Sequence, residues 1–253
     1  VAELKKVCII GAGISGLLAA LAADEAGAEV TLFDQSPGKA THVGLHYLHD
    51  PCRLDLDPVV VYNIVLTDDS DKSEPYLQYA KKLNIPGDNS LKDLPLRVDG
   101  WNLQQAYNLL WERFKDRCEE HTVEPKQLKS LVKEYDLVVS TIPLQRLIPE
   151  VTCLGREFKA YLGRPPGMSR ALYGNANNVV IYNTDMNYDW YRYSCINGVE
   201  WTEGLVKGDY SIIKPIEPKF KNPYPNLLLT GRWGKWKRGV LAHESYYEVK
   251  RRL

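Results

Sequence analysis

No run in this chain of 253 residues approaches the ~18 apolar residues that cross a bilayer. The first residues also lack the apolar core of a secretory leader. A soluble, cytoplasmic protein without a membrane partner is the expectation. Neither charge dominates, at 32 Lys and Arg against 32 Asp and Glu, so the whole-molecule field gives no case for a nucleic-acid partner. The five cysteines (Cys8, Cys52, Cys118, Cys153, Cys195) are odd in number, scattered and without a C-x-x-C pair. That argues against a disulfide scaffold and against a zinc site, and no metal is expected. Internal repeats and low-complexity linkers are absent too. The length suits one large domain or two small ones.

What is present is concentrated at the start. Val7-Cys8-Ile9-Ile10 runs into Gly11-Ala12-Gly13-Ile14-Ser15-Gly16, then into a helix-forming segment from Leu17 to Ala26 that Gly27 stops. A second strand, Glu29 to Phe33, delivers Asp34. In such a strand–turn–helix the first glycine permits the sharp turn and the second lets backbone approach a pyrophosphate. The third lets helix and strand pack closely. The helix N-terminus offers unpaired N–H groups and a positive dipole end to phosphates. Asp34 falls where a carboxylate takes ribose hydroxyls. With strand, helix, stop and acid in register, the spacing predicts a dinucleotide site.

Further along, Val59 to Leu66 reads as a strand, Tyr76 to Leu83 as a short helix and Asp99-Gly100 as a turn. Asn102 to Cys118 reads as an amphipathic helix with Leu103, Ala106, Tyr107, Leu110, Trp111 and Phe114 at helical spacing. Thr122 to Glu124 is a short extended piece, and Tyr135 to Pro143 a buried strand. Strands are expected at Asn178 to Asn183, Tyr191 to Ile196, Val199 to Glu203, Tyr210 to Pro215 and Asn226 to Thr230. Gly231-Arg232 reads as a loop, and a helix is expected from about Gly239. Apolar runs at Val7, Leu137 and Leu227 suit a parallel sheet. The fold class is α/β: a Rossmann-like domain with a parallel sheet (1–57, 100–150, 222–253), plus a smaller mixed β-sheet substrate domain inserted in two pieces (58–99, 151–221).

A sheet that abandons βα repetition after Asp34 and returns near residues 122 and 226 resembles the two-domain flavoproteins that include amine oxidases and UDP-galactopyranose mutases. Tyr135 to Pro143 is similar to the second FAD strand of that group. Asn183-Thr184-Asp185 with Trp190-Tyr191-Arg192 is similar to a stretch of the mutase substrate domain. Gly231-Arg232-Trp233-Gly234-Lys235-Trp236 is similar to the terminal motif that sets a helix N-terminus beside the flavin. The resemblance implies FAD, held by Gly11, Gly13, Ile14, Ser15, Gly16, Asp34, Gln35, Lys39, Val43, Val123, Thr141, Gly231, Arg232, Gly239, Val240 and Leu241. It also implies oxidation of a C–N bond in a small amine, an amino acid or an aminated base in DNA. The alternative is a mutase-like, non-redox enzyme whose nucleotide sugar would meet Arg192 and Arg170.

For the chemistry, His42, His46 and His49 follow the ribose acid. A histidine facing the ring can move a proton near neutral pH; equally, these are loop histidines with their own hydrogen bonds. Of the three, His46 and His49 are the candidate catalytic residues, with Arg192. Period-two alternation sets Trp190 and Arg192 on one strand face and Tyr191 and Tyr193 on the other. Residues 231–253 carry seven Lys and Arg against two Glu. With Trp233 and Trp236 interleaved, this segment reads as rings packed inward and cations outward, or as a nucleic-acid contact.

Overall fold

A computed structural model gives the structure of residues 4–40, 42–44, 47–67, 70–166, 168 and 177–253. β1 (Lys6–Ile10) and β2 (Glu29–Asp34) pair in parallel, with α1 (Ile14–Glu25) as their crossover. A right-handed helical crossover is the usual way to join adjacent parallel strands. β7 (Leu137–Ser140) pairs with the other side of β1, and β13 (Leu227–Leu229) with β7. β6 (Cys118–Glu120) closes the other edge, giving a five-stranded parallel sheet of order β13-β7-β1-β2-β6. The three apolar runs thus lie side by side, as parallel strands buried on both faces should.

Alternation along β1 divides the core. Val7 and Ile9 face α1, α3 (Leu103–Phe114) and α7 (Glu244–Lys250). Cys8 and Ile10 face α4 (Leu128–Glu134), α5 (Leu144–Leu147) and Trp236. Leu17 to Ala23 of α1 are all buried, and the four alanines among them admit α3 on one flank and α7 on the other. Asp24 ties α1 to the end of α3 through Arg113 and Arg117, at 2.6 and 2.5 Å. α3 starts where the Asn102 side chain accepts from the Gln105 N–H, and it ends at Phe114, short of Cys118; a 3-10 turn (Lys115–Arg117) follows.

The second sheet has eight strands, so it is larger than the parallel one, against expectation. Its order is β12-β8-β11-β10-β9-β4-β5-β3. The stretch between β2 and α3 supplies β3 (Tyr47–Leu48), β4 (Pro58–Leu66) and β5 (Arg97–Asn102). The second insertion supplies β8 (Leu154–Leu162), β9 (Val179–Asn183), β10 (Trp190–Ile196), β11 (Val199–Gly204) and β12 (Tyr210–Ile216). The two pieces join where β4 and β9 pair in parallel, and α2 (Pro75–Leu83) packs on this sheet.

Several sequence expectations shift. Asp99-Gly100 lies inside β5, where Gly100 is needed because a Cβ there would sit 2.6 Å from the Tyr47 ring. The extended piece expected at 122–124 is formed four residues earlier, by β6. Gly231 opens a short helix, α6 (Gly231–Lys235), in place of a loop. The last helix begins at Glu244, because the Glu244 carboxylate takes the Leu241 N–H at 3.0 Å and holds 241–246 in single turns. Among the described residues no helix is long and apolar enough to cross a membrane.

Candidate functional site

Gly11 leaves β1 with φ +100°, a conformation that side chains rarely adopt. A Cβ on Gly16 would fall 1.8 Å from the Gly11 carbonyl oxygen, so α1 is pressed directly onto the turn. Gly13 is different: its φ of −70° and ψ of 176° are ordinary, and its absent Cβ would meet nothing within 4 Å. That open space lies at the start of α1. The first intrahelical bond runs from the Leu17 N–H to the Gly13 carbonyl, so the N–H groups ahead of it point out of the helix end. Thr141, just past β7, donates its hydroxyl to the Ile10 and Gly11 carbonyls and so braces the turn from below.

Asp34 accepts from the Ala12 N–H and from the Ser36 N–H, each at 2.7 Å, one on each oxygen. A carboxylate has about four acceptor sites, so each oxygen keeps one for a vicinal diol. The His121 N–H binds the Asp34 carbonyl, and Val123 is buried with Cys8, Ile10 and Val138 next to this end of the sheet. Gln35 accepts from Arg146, and Lys39 is exposed on the following turn.

The far end of the chain completes the turn. A Cβ on Gly231, at φ +69°, would come within 3.0 Å of Ser15, and one on Gly234 within 2.3 Å of the Ser140 carbonyl oxygen. Gly231 therefore seats α6 against the first residues of α1. Gly239 is exposed at φ +79°, Val240 is buried, and Leu241 has its N–H taken by Glu244.

Arg232 reaches from this clamp toward the second sheet, into a cluster of charges. Glu203 is 1% exposed. It accepts from the Tyr191 hydroxyl at 2.6 Å and from Arg192 Nε at 2.8 Å, and it pairs with Arg192 Nη2. Burial opposes the Arg192 charge, but Glu203 and the surrounding tyrosines raise its pKa well above the usual range. Gly44, downstream of Asp34, lies against this pair: its carbonyl accepts from Arg192 Nη2, and its Cβ would sit 3.1 Å from Glu203. Val43 is half-buried beside it. Burial and the Arg192 guanidinium lower the Arg232 pKa. Burial, reinforced by Arg192, pushes Lys214 down to about 7. The Lys214 ammonium stands over Tyr191 at 4.4 Å, Phe158 at 5.2 Å and Tyr79 at 5.6 Å.

Simple alternation fails at this place. A β-bulge shifts the register between Trp190 and Arg192, which puts two residues opposite one. Trp190 therefore shares a cluster with Tyr193, and Tyr191 falls on the side of Arg192 and Glu203. His46, like Arg170, lies outside the described residues. His49 is exposed, its ring 4.5 Å from that of Tyr47 and 6.4 Å from that of His243. His42 packs on Tyr107 at 4.9 Å; its Nε2 is buried without a partner, and burial lowers its pKa. Lys214 and Glu203 were not singled out from sequence, because only the fold brings Glu203 to Arg192 and Lys214 to the Tyr191 ring.

The aromatic-basic segment resolves toward packing. Trp236 is 3% exposed and donates its ring N–H to the Leu154 carbonyl. Lys235 pairs with Glu248, Lys237 with Glu217 and Arg238 with Asp88. Among the described residues no group of three or more His, Cys, Asp and Glu is placed to hold a metal ion.

No curated protein matches the sequence. Among solved structures, reduced UDP-galactopyranose mutase is similar at a TM-score of 0.53 and 12% identity, over 98% of this chain and 93% of that one. 2,6-Dihydroxypyridine-3-hydroxylase from Arthrobacter nicotinovorans is similar at 0.54 and 11%, over 100% and 88%. MibH, a lathipeptide tryptophan 5-halogenase, is similar at 0.61 and 12%, over 97% and 66%. At these identities the likeness is one of fold. A family model described as alanine dehydrogenase/PNT, C-terminal domain, matches residues 2–149. That stretch holds β1, β2, β6 and β7 of the parallel sheet, with the glycine turn and Asp34 among them. By this match, over more than half of its length, the chain belongs to the alanine dehydrogenase/PNT C-terminal domain family.

Proposed function

We propose that this protein is an FAD-dependent oxidoreductase acting on the C–N bond of a small amine-bearing substrate. The observation that carries the reading is the meeting of Gly231 with Ser15 over an open Gly13. It joins a phosphate-binding turn to a side chain, Arg232, that reaches the second sheet. The residues fit the group. The start of α1 offers N–H groups to a pyrophosphate, Asp34 keeps an acceptor on each oxygen for ribose, and Thr141 holds the turn rigid. Val43 and Gly44 then lead from the ribose acid to the Arg192–Glu203 pair, along the path an extended flavin dinucleotide needs. Bound FAD would supply the hydride acceptor. The protein's own part is to position the substrate and to keep water out with the β10, β11 and β12 side chains.

The mutase-like alternative would set its diphosphate on Arg192, and Arg192 is committed to Glu203. A nucleic-acid substrate finds little support where Trp236 is buried and the neighbouring cations are paired. The test is reconstitution with FAD, with NAD titrated in parallel, followed by anaerobic mixing with amines and amino acids. Flavin absorbance that bleaches on adding an amine is the expected result. A chain that takes up NAD and no FAD, or a bound flavin that no amine reduces, would overturn the reading.

A further inference from the structure

Two stretches of chain border the proposed dinucleotide path, and neither fixes its own position. Between Asp34 and β3 no helix or strand forms among the described residues. α6 has five residues, and isolated helices below about 12–15 are marginal in water. Such stretches are ordered by what they touch. Each is tied by an arginine to the second sheet or to the layer packed on it. Arg192 binds Glu203 through Nε and Nη2, and Nη2 also reaches the Gly44 carbonyl at 3.4 Å. Gly44 is buried at φ +66°, and a Cβ there would lie 2.7 Å from Ile212 of β12 and 3.1 Å from Glu203. Only glycine lets the chain come so close in that conformation. Behind α6, Arg238 donates to Asp88 at 2.7 Å. Buried Asp88 lies in the chain between Leu83 and Leu91, which pack with Phe158 and Tyr191 of the second sheet. Its other oxygen takes the Ser90 N–H at 2.8 Å. Trp236 adds its ring N–H on the Leu154 carbonyl of β8, at 2.6 Å.

We propose that Arg192 and Arg238 are positioning residues for the dinucleotide. Arg192 acts through Gly44 and Arg238 through α6, so each border of the path is set by the second sheet. The inference rests on the dinucleotide reading of the glycine turn and adds a coupling to it. Docking of the second sheet prepares the site, and a bound dinucleotide strengthens that docking by the same factor. The chemistry accounts for the residue type. A planar guanidinium serves a carboxylate and a carbonyl at once, which an ammonium on a flexible stem does less well. The bond from Arg238 to a buried carboxylate is charge-assisted and so among the stronger kinds.

FAD and NAD are the probes, titrated in parallel, with trypsin cleavage at exposed Lys39 and Lys237 as a second readout. Arg192→Lys, and Gly44→Ala from the other side of the contact, should speed cleavage at Lys39 about 10-fold and leave Lys237 unchanged. Asp88→Asn combined with Arg238→Met, which leaves no buried charge alone, should do the reverse. Each of the three should weaken whichever dinucleotide binds by about 10-fold, and Arg238→Lys should keep part of the affinity. In the wild type that dinucleotide should slow both cuts. Urea midpoints establish that each variant is folded. Cleavage rising at both sites in every variant, which is general loosening, or unchanged affinity in all of them would overturn the inference. If NAD binds and FAD does not, the flavin reading fails, while the same pattern with NAD upholds this one.

Discussion

A methyl group added at Gly13 and one added at Gly16 are expected to act in opposite ways, although three residues separate them. At Gly16 the new carbon would start 1.8 Å from the Gly11 carbonyl oxygen. Relief requires α1 to move off the turn by more than about 1 Å, against β1 and β7. Overpacking of this kind costs about 1–3 kcal/mol, and a clash with backbone belongs at the upper end. Alanine's better helix propensity returns about 1 kcal/mol. The net loss is about 2 kcal/mol, or roughly 4–8 °C in Tm for a chain of this size. At Gly13 the backbone already suits alanine and the space is empty. Gly13→Ala should therefore hold or raise stability by about 0.4–1 kcal/mol, through the unfolded chain. The same methyl stands where a pyrophosphate must approach. Losing even one charge-assisted hydrogen bond, at about 1.5–3 kcal/mol, weakens dinucleotide binding 10-fold or more. Urea denaturation gives the stabilities, and FAD titration followed by fluorescence quenching gives the affinities. A Gly13→Ala chain that binds FAD like the wild type, or one that loses 2 kcal/mol, would refute the reasoning.

Asp34→Asn replaces one acceptor with a donor that faces a backbone N–H. It should lower dinucleotide affinity about 10-fold and cost about 1 kcal/mol of stability, both measurable in the same titrations. Glu203→Gln leaves Arg192 unpaired in a cluster that already holds Lys214 and Arg232. A loss of about 3–5 kcal/mol is expected by urea unfolding, and a loss below 1 kcal/mol would mean that the pair is not buried as described. Lys214 is held down to about 7 in the folded chain, against 10.5 as its ordinary value. Between those values the unfolded chain binds more protons, so this residue makes the protein more stable as pH rises from 7 toward 10.5. Urea midpoints at pH 6 and pH 9 should therefore rise more in the wild type than in Lys214→Met, and equal slopes would remove the effect.

The parallel sheet was legible because its strands are short apolar runs, Val7 to Ile10, Leu137 to Val139 and Leu227 to Leu229, and burial on both faces leaves no other way to satisfy them. The turn and Asp34 were legible because local spacing decides their geometry. β8 was not. Its sequence, Leu-Gly-Arg-Glu-Phe-Lys-Ala-Tyr-Leu, buries only Phe158 and Ala160, and the rest is supplied by neighbours on both sides. The bulge after Trp190 likewise leaves no mark in alternation and overturns it. The charge cluster depends on partners distant in sequence, Arg238 and Asp88 being 150 residues apart. No window of residues carries that information.

The place of β13 at the sheet's edge bears on how the molecule is made. Until residues 227–229 emerge from the ribosome, β7 is a rim with open amides, flanked by side chains that are fully covered in the finished protein. Nascent chains would share that sticky border with one another, so crowding during translation favours clumping over maturation. Anything held by the glycine turn must wait as well, since the clamp over Ser15 forms only once Gly231 has been synthesised.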